Sequence, residues 1–242
     1  MNSKPWLEHY DRGVPASIQY PAKMVHSFLS DASAKFPNHA CTTFRDNQIT
    51  YQEMDQLTDR LAAGLHSLGV RQGDRVGVVL PNIPQFIVAF YGILKLGGIV
   101  VAMNPQYKIG ELEFQAMNAG VKTLIGLKAS SELLIQLKER VGINRLILTD
   151  VEDAFKLRGS LSLKDHPNGD EVHDFLGMIA NSPMQLPKVD LIPDDAAIFQ
   201  YSGGTTREPK AAIGTHKNLV ANTLQFRNWL VGLEDGKEIV LA

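Results

Sequence analysis

The chain has 242 residues, 44% of them hydrophobic and 21% charged, with 24 Lys plus Arg against 26 Asp plus Glu. That composition excludes a disordered, collagenous or coiled-coil chain, and the net charge of −2 gives no electrostatic footprint for broad nucleic-acid or membrane-surface binding. Cys41 is the only cysteine, which excludes an intrachain disulfide framework and a Cys-based zinc site and leads us to expect a reducing, cytoplasmic setting.

Residues 1–13 carry Lys4, Glu8, Asp11 and Arg12 without an apolar run, so they do not read as a signal peptide. Met54, Leu57, Leu61, Leu65 and Leu68 then recur at steps of three and four, predicting an amphipathic helix that Gly69 ends. Arg75 to Leu80 is a β-branched apolar run and reads as a buried strand closed by Pro81-Asn82. The next helix has Pro84 in its first turn and Ile87, Phe90, Tyr91 and Leu94 along it, and Gly97-Gly98 stops it before a strand over Ile99 to Met103. Ile83 to Met103 is nearly continuous apolar sequence, but Lys95 and the two glycines interrupt it. A buried helix followed by a buried strand is therefore preferred to a membrane span, and no integral membrane segment is expected.

The alternation continues with a helix near Glu111 to Asn118, a strand near Lys122 to Leu127, a helix near Ser131 to Arg140 and a strand near Arg145 to Leu148. Four strands with three crossovers predict an α/β fold, a doubly wound, mostly parallel sheet flanked by helices. Val151 to Ile192 breaks the rhythm with Pro167, Pro183 and Pro187 and one helical patch around Val172 to Ile179. A strand at Ala196 to Tyr201, a Gly/Thr-rich loop, a strand-like Ala211 to Thr215 and a helix from about Asn218 to Val231 follow. We therefore read 1–150 as a first βα subdomain, 151–193 as a connecting excursion and 194–242 as a strand, loop and helix, all within one incomplete domain.

The loop Tyr201-Ser202-Gly203-Gly204-Thr205-Thr206-Arg207-Glu208-Pro209-Lys210 carries the chemistry. Two glycines let successive backbone N–H groups turn toward one point, three hydroxyls add donors, and Lys210 adds positive charge, which together make a phosphate cradle. A polar surface loop is the plainer alternative for such a composition. The spacing is not that of a Walker A loop, and the turn after Leu80 has no Rossmann glycines.

With Thr215-His216-Lys217-Asn218-Leu219 downstream, this stretch resembles the phosphate loop of the adenylate-forming enzymes, the acyl-CoA synthetase and AMP-binding superfamily. Thr50-Tyr51, Leu68-Gly69-Val70, Gly73-Asp74-Arg75-Val76, Leu80-Pro81-Asn82 and Asn104-Pro105 are similar to segments that recur through that superfamily in this order. Lys4-Pro5-Trp6, Tyr10, Gly13-Val14-Pro15, Tyr20-Pro21 and the Tyr-Ser-Gly-Gly-Thr-Thr form of the loop resemble the long-chain fatty-acyl-CoA ligases in particular. The resemblance implies the large N-terminal domain of such an enzyme and a two-step reaction using ATP, Mg2+ and coenzyme A. A carboxylate, here a fatty acid, would form an acyl-adenylate that the coenzyme thiol then takes. It implies that Ser202, Gly203, Gly204, Thr205, Thr206 and Lys210 bind the ATP phosphates.

Arg207 and Ala211 stand where the family pattern has glycine. The sequence stops at Leu241-Ala242, ahead of the family's acyl-pocket motif, its adenine, ribose and magnesium motifs and its adenylation lysine, so the chain reads as an N-terminal portion, inactive alone, and no catalytic residue is assigned. A truncated, non-catalytic nucleotide-binding or interaction module is the rival reading. A phosphotransferase is a distant third, because no kinase-type His-Arg-Asp is present.

Weaker candidates point to structure. His166, Asp170, His173 and Asp174 form a polar cluster that reads as a solvated loop, and no metal site is expected. His216 follows Thr215 at a helix start, where plain capping by Thr215 is favoured, and Cys41 reads as a buried, inert thiol. Acyl chain length and homo-oligomerisation are left open by the sequence.

Overall fold

A computed structural model describes residues 4–160, 172–186, 188–202 and 209–241. After a short 3-10 turn the chain forms α1 (Ser27–Lys35), an antiparallel hairpin of β1 (Ala40–Phe44) and β2 (Asn47–Thr50), and α2 (Tyr51–Ser67). It continues through β3 (Arg75–Val79), α3 (Pro84–Lys95), β4 (Ile99–Ala102), α4 (Ile109–Ala119), β5 (Thr123–Leu127), α5 (Ser131–Val141) and β6 (Arg145–Thr149). The remainder comprises α6 (Leu157–Ser160), β7 (Val172–Asp174), α7 (Phe175–Asn181), β8 (Ala196–Tyr201), β9 (Ala211–Thr215) and α8 (His216–Trp229).

Among the described residues seven strands make one sheet in the order β7-β6-β5-β3-β4-β8-β9, parallel throughout except for the final β8–β9 pair. The chain leaves β3 for β4 on one side and then returns past β3 to β5, so successive crossovers cover opposite faces of the sheet. One core lies under α2, α3 and α7, where Leu57, Leu61 and Ile93 meet Val76, Val100 and Ile125. The other lies under α4 and α5, where Leu112, Leu134 and Leu137 meet Val101, Leu124 and Leu146. Burying each such side chain contributes about 1.5–3 kcal/mol.

The expected α/β architecture is what forms, and the local signals act as read. Thr50 Oγ1 accepts the Glu53 N–H at 3.2 Å while the Glu53 carboxylate accepts the Thr50 N–H at 2.8 Å, a capping box that starts α2. Gly69 at φ +85° ends it. The apolar stretch from Ile83 divides into α3 and β4 as expected, and among the described residues no helix is long and apolar enough to cross a membrane. Lys95 closes α3 while buried, its Nζ 2.6 Å from Asp55 and also bonded to Asp59, both on α2.

Two expectations are corrected. Val172 to Ile179 is not one helical patch: Val172–Asp174 is an edge strand pairing with β6, and the helix begins at Phe175, where the Asp174 carboxylate caps the Gly177 N–H at 2.8 Å. His173 is consequently buried in a strand and not part of a solvated loop, while His166 and Asp170 lie outside the described residues.

Candidate functional site

In open parallel sheets, ligands bind beyond the carboxyl ends of the strands. β4 and β8 are parallel and in register at Ala102 and Gln200, so Tyr201 and Ser202 leave the sheet at that carboxyl edge. β9 returns antiparallel to β8, with Tyr201 opposite Ala211, and the Ser202 N–H donates to the Lys210 carbonyl at 3.2 Å. Ser202 and Lys210, eight positions apart, therefore close the mouth of one loop, and both are exposed. Gly203, Gly204, Thr205 and Thr206 belong to the connecting stretch and, like Arg207, lie outside the described residues.

The mouth is held from both sides of the sheet. On one side the Tyr201 ring meets Phe114 edge-on at 6.4 Å, and its hydroxyl reaches Asn118 Oδ1 at 2.7 Å and the Gln115 carbonyl at 3.2 Å, both on α4. Burial raises the pKa of this phenol, so it stays protonated as a donor. On the other side α8 packs Val220, Leu219 and Leu224 onto the core beneath α2 and α3. Thr215 caps α8 as expected, its Oγ1 accepting the Asn218 N–H at 3.2 Å and the Asn218 side chain returning to the Thr215 N–H at 3.1 Å.

Ala211 is the first residue of β9 and pairs in the ladder, so its backbone is extended and glycine's left-handed freedom is not used there. Cys41 is half-buried on β1, and burial pushes its thiol up to about 11, which keeps it an unreactive thiol as expected.

His216 was legible only as a neighbour of the cap. It is fully buried, and its Nδ1 accepts the Val25 N–H at 3.3 Å, joining the start of α8 to the turn before α1. His26 stands edge-on to its ring at 5.8 Å between centroids. The signal that could have found this contact is slight: an apolar Val25 and a histidine 191 positions apart carry no local pattern.

No group of three or more His, Cys, Asp or Glu side chains that could hold a metal ion occurs among the described residues. Among the described residues the donors at the mouth are the Ser202 hydroxyl and the Lys210 ammonium group, which suit an anion. A groove of about 490 Å3 lies between the N-terminal segment and α8, walled by Tyr10, Val14, Tyr20, Gln225, Phe226 and Trp229, and neither Ser202 nor Lys210 lines it.

The model of the family described as AMP-binding enzyme matches residues 29–242. A long-chain-fatty-acid–CoA ligase of Bacillus subtilis (strain 168) is 35% identical over 256 residues, covering 100% of this chain and 45% of that protein. A protein of the same name from Escherichia coli O157:H7 is 30% identical over 254 residues, covering 99% and 45%. The chain thus spans a little under half the length of these relatives. Among solved structures, a long-chain-fatty-acid-CoA ligase from Archaeoglobus fulgidus superposes with a TM-score of 0.72 at 26% identity, over 90% of this chain and 41% of that one.

Proposed function

This chain belongs to the AMP-binding enzyme family, and from that premise we propose that it is part of an ATP-dependent carboxylate–CoA ligase whose acid is a fatty acid, with the loop from Ser202 to Lys210 receiving the ATP phosphates. The observation that carries the proposal is the closed mouth of that loop, Ser202 N–H on Lys210 C=O at the carboxyl edge of a parallel sheet. The names of the relatives at 35% and 30% identity support the fatty acid as substrate.

In the proposed reaction a carboxylate oxygen attacks the α-phosphorus of ATP and the bond to pyrophosphate breaks, giving an acyl-adenylate. The sulfur of coenzyme A then attacks the acyl carbon and AMP leaves. The residues of this chain serve the first step. Lys210 sets its charge against the departing pyrophosphate, and Ser202, Gly203, Gly204, Thr205 and Thr206 supply hydroxyl and backbone donors that hold it in line. Mg2+ would enter on the nucleotide phosphates and neutralise part of their charge. The same proposal makes residues 1–242 part of one larger domain, with segments 1–150, 151–193 and 194–242, and the lone cysteine supports a cytoplasmic setting.

Competition tests the assignment of the loop to phosphates. Inorganic tripolyphosphate with magnesium should displace a fluorescent ATP analogue from the chain, and adenosine at the same concentration should not. Displacement by adenosine alone would place the binding contacts elsewhere.

A further inference from the structure

The β8–β9 hairpin is well paired at its tip and irregular at its base. From Ile198 opposite Gly214 to Tyr201 opposite Ala211 the ladder is regular, but it shifts register between Ala196 and Ile198. The base is crowded as well, since a Cβ at Gly214 would come within 2.8 Å of Ile198 Cγ2. The extra residue at the base is left unpaired and the ladder is locally disrupted there, and a slip of β9 by one residue would carry every one of its side chains to the opposite face. At the tip, such a slip would take Lys210 away from Ser202.

What meets the base is His216. Its backbone N–H donates to the Asp195 carbonyl at 3.1 Å, the next N–H, of Lys217, donates to the Pro193 carbonyl at 2.7 Å, and its ring Nδ1 accepts from Val25 N–H at 3.3 Å. The first two bonds join the ends of the hairpin to each other, and of the three only the third reaches another part of the molecule, the turn that opens α1. β8 is held separately, by its pairing with β4 and by Tyr201 on α4, so it is the edge strand β9 whose base this third bond fixes. Because Nδ1 is an acceptor, the proton of the neutral ring sits on Nε2. Burial also holds this imidazole below the ordinary histidine pKa, against a partly opposing pull from Asp195. Val25 is itself buried, and no other acceptor serves its N–H among the described contacts, so the bond is costly to lose from either end.

We infer that His216 is a positioning residue for the loop: by accepting the Val25 N–H it pins the base of the β8–β9 hairpin and so holds Lys210 opposite Ser202 at the other end of β9. The inference rests on reading that loop as the phosphate site, and it adds a residue at the far end of β9, about 20 Å from Lys210 at ~3.3 Å per strand residue.

The amide of Ser202 reports the pairing directly, because its N–H is the donor to Lys210. Hydrogen exchange of the 242-residue chain is to be followed by NMR in the wild type, His216→Leu, His216→Asn and His216→Gln. Asn places an amide oxygen near the position of Nδ1, while Gln carries its oxygen one bond further out. His216→Leu and His216→Gln should speed exchange at Ser202 by about tenfold or more while the amide of Leu124, in the middle of the sheet, is unchanged, and His216→Asn should restore the wild-type rate to within about threefold.

Unchanged Ser202 exchange in the Leu and Gln variants overturns the inference. So does acceleration of Ser202 and Leu124 together, which marks His216 as ordinary core. Should His216→Leu fail to fold, the contrast between Asn and Gln decides alone. Titrating Mg-ATP into the same proteins separates the two readings. Selective loss of Ser202 protection in a chain that binds no Mg-ATP keeps the positioning role and removes the phosphate site. Mg-ATP binding with unmoved Ser202 does the reverse.

Discussion

The Tyr201 hydroxyl donates to Asn118 Oδ1 across 2.7 Å, tying the last residue of β8 to the last turn of α4 immediately before the loop begins. A single hydrogen bond of this kind contributes about 0.5–1.5 kcal/mol net. Tyr201→Phe should therefore lower stability by about 1 kcal/mol in urea denaturation and weaken Mg-ATP binding several-fold, while keeping the ring contact with Phe114. Asn118→Ala should cost less, because the hydroxyl keeps the Gln115 carbonyl at 3.2 Å as an acceptor, and the double variant should cost no more than Tyr201→Phe alone. Additive losses would show that the two residues act separately.

Lys95 is a buried charge, 4% exposed at the end of α3, with Asp55 and Asp59 of α2 around its ammonium group. Lys95→Met leaves two half-buried carboxylates facing each other and should cost about 3–5 kcal/mol in denaturant unfolding. Asp55→Asn leaves Asp59 as a partner and should cost clearly less. Equal losses in the two variants would contradict this division.

Acid should destabilise the fold through His26. Burial, then the neighbouring His216 and Lys95, push its pKa down from 6.5 to about 4, with Asp55 pulling the other way. The folded chain thus binds fewer protons than the unfolded chain between those values, so the stability that neutral His26 contributes is complete above about pH 6.5 and is lost as the pH falls towards about 4. His26→Gln should flatten the fall in stability over that window relative to wild type. Parallel pH profiles for the two proteins would show that His26 does not titrate with folding.

Gly92 sets the approach of α3 to α2. A Cβ there would lie 3.0 Å from Leu61 Cδ2 and 3.2 Å from the Thr58 carbonyl, and the carbonyl belongs to a helix that cannot yield locally. Gly92→Val should lose about 1–3 kcal/mol from overpacking, read as a lower unfolding midpoint at unchanged m-value. A neutral or stabilising result would mean that the helices separate freely.

The central sheet was legible in the sequence because each strand and helix carries its own period and stop signal. Met54, Leu57, Leu61 and Leu65 mark α2, Pro84 starts α3, and Gly120 and Gly142 end α4 and α5 in left-handed conformations. The hairpin of β1 and β2 was not legible. Its strands are short and half-exposed, and its two-residue turn is Arg45-Asp46, with Arg45 at φ +52° where a glycine or asparagine would have announced the bend. β7 was hidden for a similar reason, since three residues cannot show alternation.

At the candidate site, the composition of the loop revealed the residue types, and the antiparallel return of β9 supplies what composition could not, the meeting of Ser202 with Lys210. The contacts of His216 with Val25 and of Lys95 with Asp55 and Asp59 escaped because they join separate elements, and one-dimensional spacing does not encode them.

Calorimetric titration of Mg-ATP into the chain and into Lys210→Ala tests the account most directly. The account predicts saturable binding weaker than about 1 μM in the wild type, reduced about tenfold or more in Lys210→Ala, with the two proteins melting at the same temperature because Lys210 is exposed at the loop mouth. Equal affinity in the two proteins, or submicromolar binding that survives loss of Lys210, would contradict the assignment of this loop to the phosphates of ATP.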